Sequence, residues 1–168
     1  MHNYLLPIHQ WAQSVSLHST DKNSGLVGRH VMKYEPRNLE STISSLFDDG
    51  RLQKVRDVET ARASQSKQLE KLLERSKRSA PTQQYLARYD ACMRMIEILL
   101  LEYGYQLDEQ PHASARTIVA ALDPSINFRE LAQVRHDAKK QSITPPQGAL
   151  TELTQLQNFL NNLISDIS

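Results

Sequence analysis

The stretch Phe128 to Lys140, FRELAQVRHDAKK, concentrates the side chains of this sequence best able to do chemistry. At about 100° per residue, Phe128, Leu131, Ala132, Val134 and Ala138 fall on one face of a helix, with Arg135 near the middle of it. A guanidinium at a core-facing position is costly unless it is paired or opens into a cleft. Two readings follow. Either the Arg135 stem packs while its head reaches water or a carboxylate such as Asp90, or the breach of the apolar pattern marks a functional site. Arg129 and His136 are seven residues apart, and His136 and Lys140 four, so these three share a narrow arc. Lys139 lies on the other side of Arg135. Such an array suits a phosphodiester. His136 would transfer a proton near neutral pH, and Arg135 or Lys140 would stabilise charge on phosphate, with Arg129 and Lys139 holding the substrate. RNA needs little more than this and no metal, because its own 2′-hydroxyl is the nucleophile. The plainer alternative is a solvated basic helix face.

Other chemistries find less support. The six His include no HxH, HxxxH or HExxH spacing, and a single Cys excludes both a disulfide framework and a Cys-rich zinc site, so no metal is expected. Cys92 falls in an apolar helical stripe and reads as core. With no GxGxxG, Walker-type or GxSxG motif, no cofactor is expected. Twenty Lys plus Arg against nineteen Asp plus Glu give a net charge of +1, which excludes a globally basic coat for nucleic acid. The balance is uneven along the chain. Arg51 to Arg78 holds nine basic residues against four acidic ones, whereas beyond Gln141 stand Glu152 and Asp166 and no Lys or Arg.

These residues need a scaffold, and 168 residues with 39% apolar content suffice for one helical core. Pro and Gly divide the chain at helix-length intervals. Asn38 offers an N-cap to a helix carrying Ile43, Leu46 and Phe47, stopped at Asp48-Asp49-Gly50. A charged helix from about Gln53 to Ser79 has only Leu69, Leu72 and Leu73 at close helical spacing, so it lies on the outside. Thr82 to Tyr103 is the strongest element: Tyr85, Tyr89, Cys92, Ile96, Leu99 and Tyr103 form one stripe, and Leu86, Met93 and Leu100 a second beside it. A helix apolar on two stripes is central. Shorter helices are expected from about Ser114 to Leu122 and from about Ile126 to Lys140. A last one, from about Gln147 to Ile164, has Ala149, Leu153, Leu156, Leu160 and Leu163 on one face and an uncharged polar surface opposite, compatible with subunit contact. The expected architecture is all-α, an up-and-down bundle of about five helices over residues 37–168, preceded by an irregular N-terminal arm over 1–36.

Three segments in this order resemble a HEPN domain, the small helical bundle of prokaryotic toxin–antitoxin, defence and CRISPR-associated proteins. They are QQYLARYDACMRMIEILLLEYGYQL (83–107), HASARTIVAALDP (112–124) and FRELAQVRHDAKKQSITPP (128–146) followed by the Leu-rich terminal helix; LFDDGRLQKV (46–55) resembles the lead-in of some members. The resemblance spans roughly residues 40–164. Catalytic members carry an Arg, usually a polar residue next, and a His four to six positions on, and two chains combine their motifs in one composite site. Arg135-His136 matches the opening, but Lys140 stands where the downstream His would fall; Arg129 with His136 matches a looser frame. Toxins paired with a nucleotidyltransferase antitoxin often carry a Tyr after the His, and no Tyr follows Tyr105 here.

The resemblance implies a toxin or defence protein that cuts RNA without metal as a homodimer, with Arg135, His136 and Lys140 catalytic. An antitoxin of nucleotidyltransferase type or another protein partner would accompany it. The alternative is a catalytically inactive HEPN-like module that binds RNA or a partner protein. No run of about eighteen apolar residues is present, and the N-terminus lacks the pattern of a secretory signal. No membrane association is expected, and the expected location is the cytoplasm.

Overall fold

The computed structural model describes residues 36–141 and 143–167. Residues 1–35 of the expected N-terminal arm therefore lie outside the described residues, and Pro36 already belongs to a helix. Among the described residues are six helices and one two-stranded ribbon: α1 (Pro36–Asp48), β1 (Leu52–Lys54), α2 (Val58–Arg78), α3 (Pro81–Glu102), β2 (Tyr105–Leu107), α4 (Pro111–Leu122), α5 (Phe128–Gln141) and α6 (Gln147–Ile167). The architecture is the expected all-α bundle, with six helices among the described residues.

The centre of the bundle is α3, as its two stripes require. Tyr85, Tyr89, Cys92, Ile96, Leu99 and Leu100 are each 0% exposed, and α2, α5, α6 and β2 pack around this helix. Pro81 opens it at a position where its missing N–H costs nothing. Along the outside runs α2, capped by Asp57, whose carboxylate accepts from the Thr60 N–H at 3.0 Å. Only Ser76 of α2 is fully buried, and Leu69, Leu72 and Leu73 lie half-buried against α3. On the opposite side α6 buries Leu153, Leu156 and Leu160, each 0% exposed. Full burial of one such side chain contributes about 1.5–3 kcal/mol, so this row alone firmly anchors the terminal helix.

Three differences from the sequence reading have simple causes. First, α1 begins at Pro36, so Asn38 lies inside the helix and is not its cap; Pro36 is pre-set for the first turn. Second, the charged helix starts at Val58 and not near Gln53, because Leu52–Lys54 pairs antiparallel with Tyr105–Leu107, Leu52 opposite Leu107. Three-residue strands are too short to show an alternating pattern. Third, α4 begins three residues early, at Pro111. Gly104, at φ +79°, makes the sharp exit from α3 into β2 that a side chain would oppose. None of the helices among the described residues is long and apolar enough to cross a membrane.

Candidate functional site

Helix α5 docks through Phe128, Leu131 and Ala138, all buried, with Ala132 and Val134 half-buried at the margin. Tyr85 pins it from α3: its hydroxyl, itself 0% exposed, donates to the Leu131 carbonyl at 2.9 Å. This docking carries Arg135 to the side of α3 one turn beyond Tyr85. There the Arg135 Nε and Nη2 both donate to Asp90 Oδ1, at 3.0 and 2.8 Å. The guanidinium carbon also sits 5.1 Å from the centre of the Tyr89 ring, a cation–π distance. Arg135 is thus paired and half-buried, and it stands at the junction of three surface hollows, lining each of them.

Tyr89 links Arg135 to a residue that the sequence did not single out. Its hydroxyl lies 3.1 Å from His112 Nδ1, at the start of α4, and its ring stacks on Phe128 at 5.4 Å between centroids. Burial pushes the Tyr89 phenol well above its usual range, so it stays protonated, the nearby guanidinium countering only part of that effect. His112 moves the other way. Burial lowers its pKa below the usual 6.5, the Arg135 charge lowers it further, and Asp90 opposes them. Its place in the first turn of α4 acts in the same direction, since a helix N-terminus disfavours a cation. These effects favour the neutral form of His112, whose side chain is nonetheless exposed at one edge. In the tautomer that carries its hydrogen on Nδ1, facing the Tyr89 oxygen, the basic lone pair is on Nε2; in the other tautomer the Tyr89 hydroxyl donates to Nδ1.

The three hollows sort the expected site residues. A hollow of about 350 Å³ brings together Arg129, Arg135 and His136 of α5 with His112 and Tyr89. A second, of about 310 Å³ between α2, α3 and α5, receives Lys139 alongside Arg75 and the Arg135–Asp90 pair. The third, of about 450 Å³, lies between α2, α3 and the start of α4 and shares His112 and Arg135 with the first. Lys140 is exposed and lines none of these three. Arg129, Arg135 and His136 thus meet, Lys139 stands in a neighbouring hollow, and Lys140 points elsewhere.

His112, Tyr89 and Asp90 complete the constellation. Asp90 is the carboxylate that the plainer reading of Arg135 names, and the pairing is present; the signals for Tyr89 and His112 were slight, a stripe position on the central helix and a His directly after the Pro that starts α4. Cys92 is fully buried, and burial pushes its thiol up to about 12, which suits core and not a nucleophile. Among the described residues no three His, Cys, Asp or Glu side chains converge to hold a metal ion. What the hollow offers is two imidazoles, one of them favoured in its neutral form, beside two guanidinium groups; that is equipment for moving protons next to a bound anion. No protein-family model, no curated protein and no solved structure matches the chain.

Proposed function

We propose that this protein is a metal-independent endoribonuclease of HEPN type, acting in the cytoplasm as a toxin or defence factor. The observation that carries this reading is the hollow of about 350 Å³ that His112 and His136 line together with Arg129 and Arg135. In the proposed reaction His112 Nε2 removes the proton from a ribose 2′-hydroxyl. The 2′-oxygen attacks the adjacent phosphorus, and the bond to the 5′-oxygen breaks as His136 donates a proton to it. The products are a 2′,3′-cyclic phosphate and a 5′-hydroxyl. Arg135 and Arg129 supply charge to the phosphorane as it forms. His112, reaching the hollow from α4, takes the role of the downstream His that Lys140 replaces. Asp90 and Tyr89 hold the Arg135 head and the His112 ring in place.

The proposed working form is a homodimer, with a nucleotidyltransferase-type antitoxin or another protein as the accompanying partner. Support for the dimer comes from the exposed face of α6, where Gln147, Thr151, Gln155, Asn158 and Asn161 form an uncharged polar surface.

The test is RNA cleavage in EDTA by wild type, His112→Ala, His136→Ala and Arg135→Ala, alongside growth on expression. Wild type is expected to cut RNA and slow growth. His112→Ala and His136→Ala should each lose at least about a hundredfold in rate, the usual share of one acid or base group, and Arg135→Ala about as much, the usual share of one group stabilising the developing charge. A wild-type protein that neither cuts RNA nor slows growth removes the enzyme. RNA binding retained without cleavage would favour the inactive binding module, for which the basic run Arg51–Arg78 is the supporting feature.

A further inference from the structure

The hollow of about 450 Å³ is not used by the proton chemistry above. Its volume falls within the range of small-molecule sites, about 300–1,000 Å³. Apolar walls come from Leu72, Met93 and Pro111, and polar groups from Lys71, Arg94 and Glu97. The Glu97 carboxylate is 17% exposed and only half committed: Oε2 accepts from Arg94 Nη1 at 2.9 Å, which leaves Oε1. Asp90, also on the wall, accepts both bonds from Arg135 on Oδ1. One hollow thus carries apolar walls, carboxylate acceptors and cationic donors together.

We infer that this hollow is a nucleobase subsite selective for guanine. Guanine presents two adjacent donors, N1–H and the 2-amino group, which Glu97 can accept side by side, one on Oε1 and one on the second lone pair of Oε2 beside its Arg94 bond. Its other edge presents O6 and N7, acceptors that Lys and Arg recognise. Adenine and cytosine each set their amino group beside an acceptor nitrogen, and uracil flanks its single N–H with two carbonyl oxygens. A carboxylate opposite any of these edges meets a lone pair as well as a donor. Leu72 and Met93 supply the apolar contact that an unstacked base needs. His112 and Arg135 line this hollow and the one holding His136, so a base seated here brings its own ribose and 3′-phosphate to them. Cleavage then follows guanosine. This placement rests on the ribonuclease reading; the binding of the base does not.

The experiment is titration of methyl-labelled protein with 3′-GMP, 3′-AMP, 3′-CMP and 3′-UMP, following the Met93 methyl by NMR, with RNA cleavage mapped separately. Expected is a shift of Met93 with 3′-GMP and an affinity at least about tenfold above the other three, the discrimination of one good two-bond base contact. Glu97→Gln should remove that preference. Lys71→Ala, at an exposed position on α2, should weaken 3′-GMP binding severalfold without touching the ion pair of Glu97. Four equal affinities, or an unmoved Met93, overturn the subsite. RNA cut without regard to base overturns it too, while leaving the nuclease standing. A clear 3′-GMP preference in a protein that cuts no RNA supports the subsite and removes the nuclease.

Discussion

Asp90→Asn removes the charge that Arg135 is bound to and little else, because the amide keeps the carboxylate's shape. Exposed ion pairs stabilise by about 0.2–1 kcal/mol, and hydrogen bonds to charged groups by about 1.5–3 kcal/mol. The Arg135 side chain is 22% exposed and that of Asp90 41%, which places the pair between those cases. Both donors fall on one oxygen instead of forming a two-oxygen fork, so the lower part of the range applies. A coupling of about 1–1.5 kcal/mol between the two side chains follows. For a chain of this size that is about 2–6 °C in Tm. The assay is a double-mutant cycle of Asp90→Asn, Arg135→Met and the pair, by urea unfolding followed with circular dichroism. Repeating it in about 1 M salt, where screening reaches about 3 Å, should remove a substantial part of the coupling. A coupling below about 0.3 kcal/mol, indistinguishable from additivity, would mean that the guanidinium head is solvated and not held over the site.

In an NMR titration His112 should have its midpoint below 6.5, and Asp90→Asn should lower it further by removing the one opposing charge. Between that lowered midpoint and 6.5 the unfolded chain holds the extra proton, so stability should rise with pH through this window. His112→Gln should flatten that rise in urea midpoints measured across the window. Gly104→Ala should cost about 1–2 kcal/mol in urea unfolding, because φ there is +79°. Leu153→Ala, at a fully buried position on α6, should cost about 2–5 kcal/mol in the same assay. Cys92 should resist iodoacetamide in the folded protein at mildly alkaline pH and react once urea is added; rapid native labelling would contradict its burial.

Much of the fold was legible because long helices repeat their apolar residues often enough to be read. The stripe from Tyr85 to Leu99 and the row Leu153, Leu156, Leu160 are buried as their spacing requires. The ribbon of Leu52–Lys54 with Tyr105–Leu107 was not legible, since its pairing is set by partners 53 residues apart at the Gln53–Gln106 pair and not by any local period. At the site, a charge on an apolar face announced Arg135, and the same helix carried Arg129 and His136 into one hollow with it. Spacing on α5 could say nothing of His112, which reaches that hollow from α4 and is held by Tyr89 of α3. Lys140 shows the opposite error: it shares the arc of His136, yet near the end of α5 that arc has passed the hollow.

A set of four otherwise all-deoxy oligonucleotides, each with a single ribonucleotide of a different base, isolates the step on which the ribonuclease depends. Incubated in EDTA with wild type and with His112→Ala, at least one strand should be cut by wild type, and only at its ribose. The fragments should carry a 2′,3′-cyclic phosphate and a 5′-hydroxyl, and His112→Ala should be slower by at least about a hundredfold. Cleavage at deoxy positions, a 5′-phosphate product, or an undiminished rate in His112→Ala would contradict a reaction in which the 2′-hydroxyl attacks and His112 takes its proton.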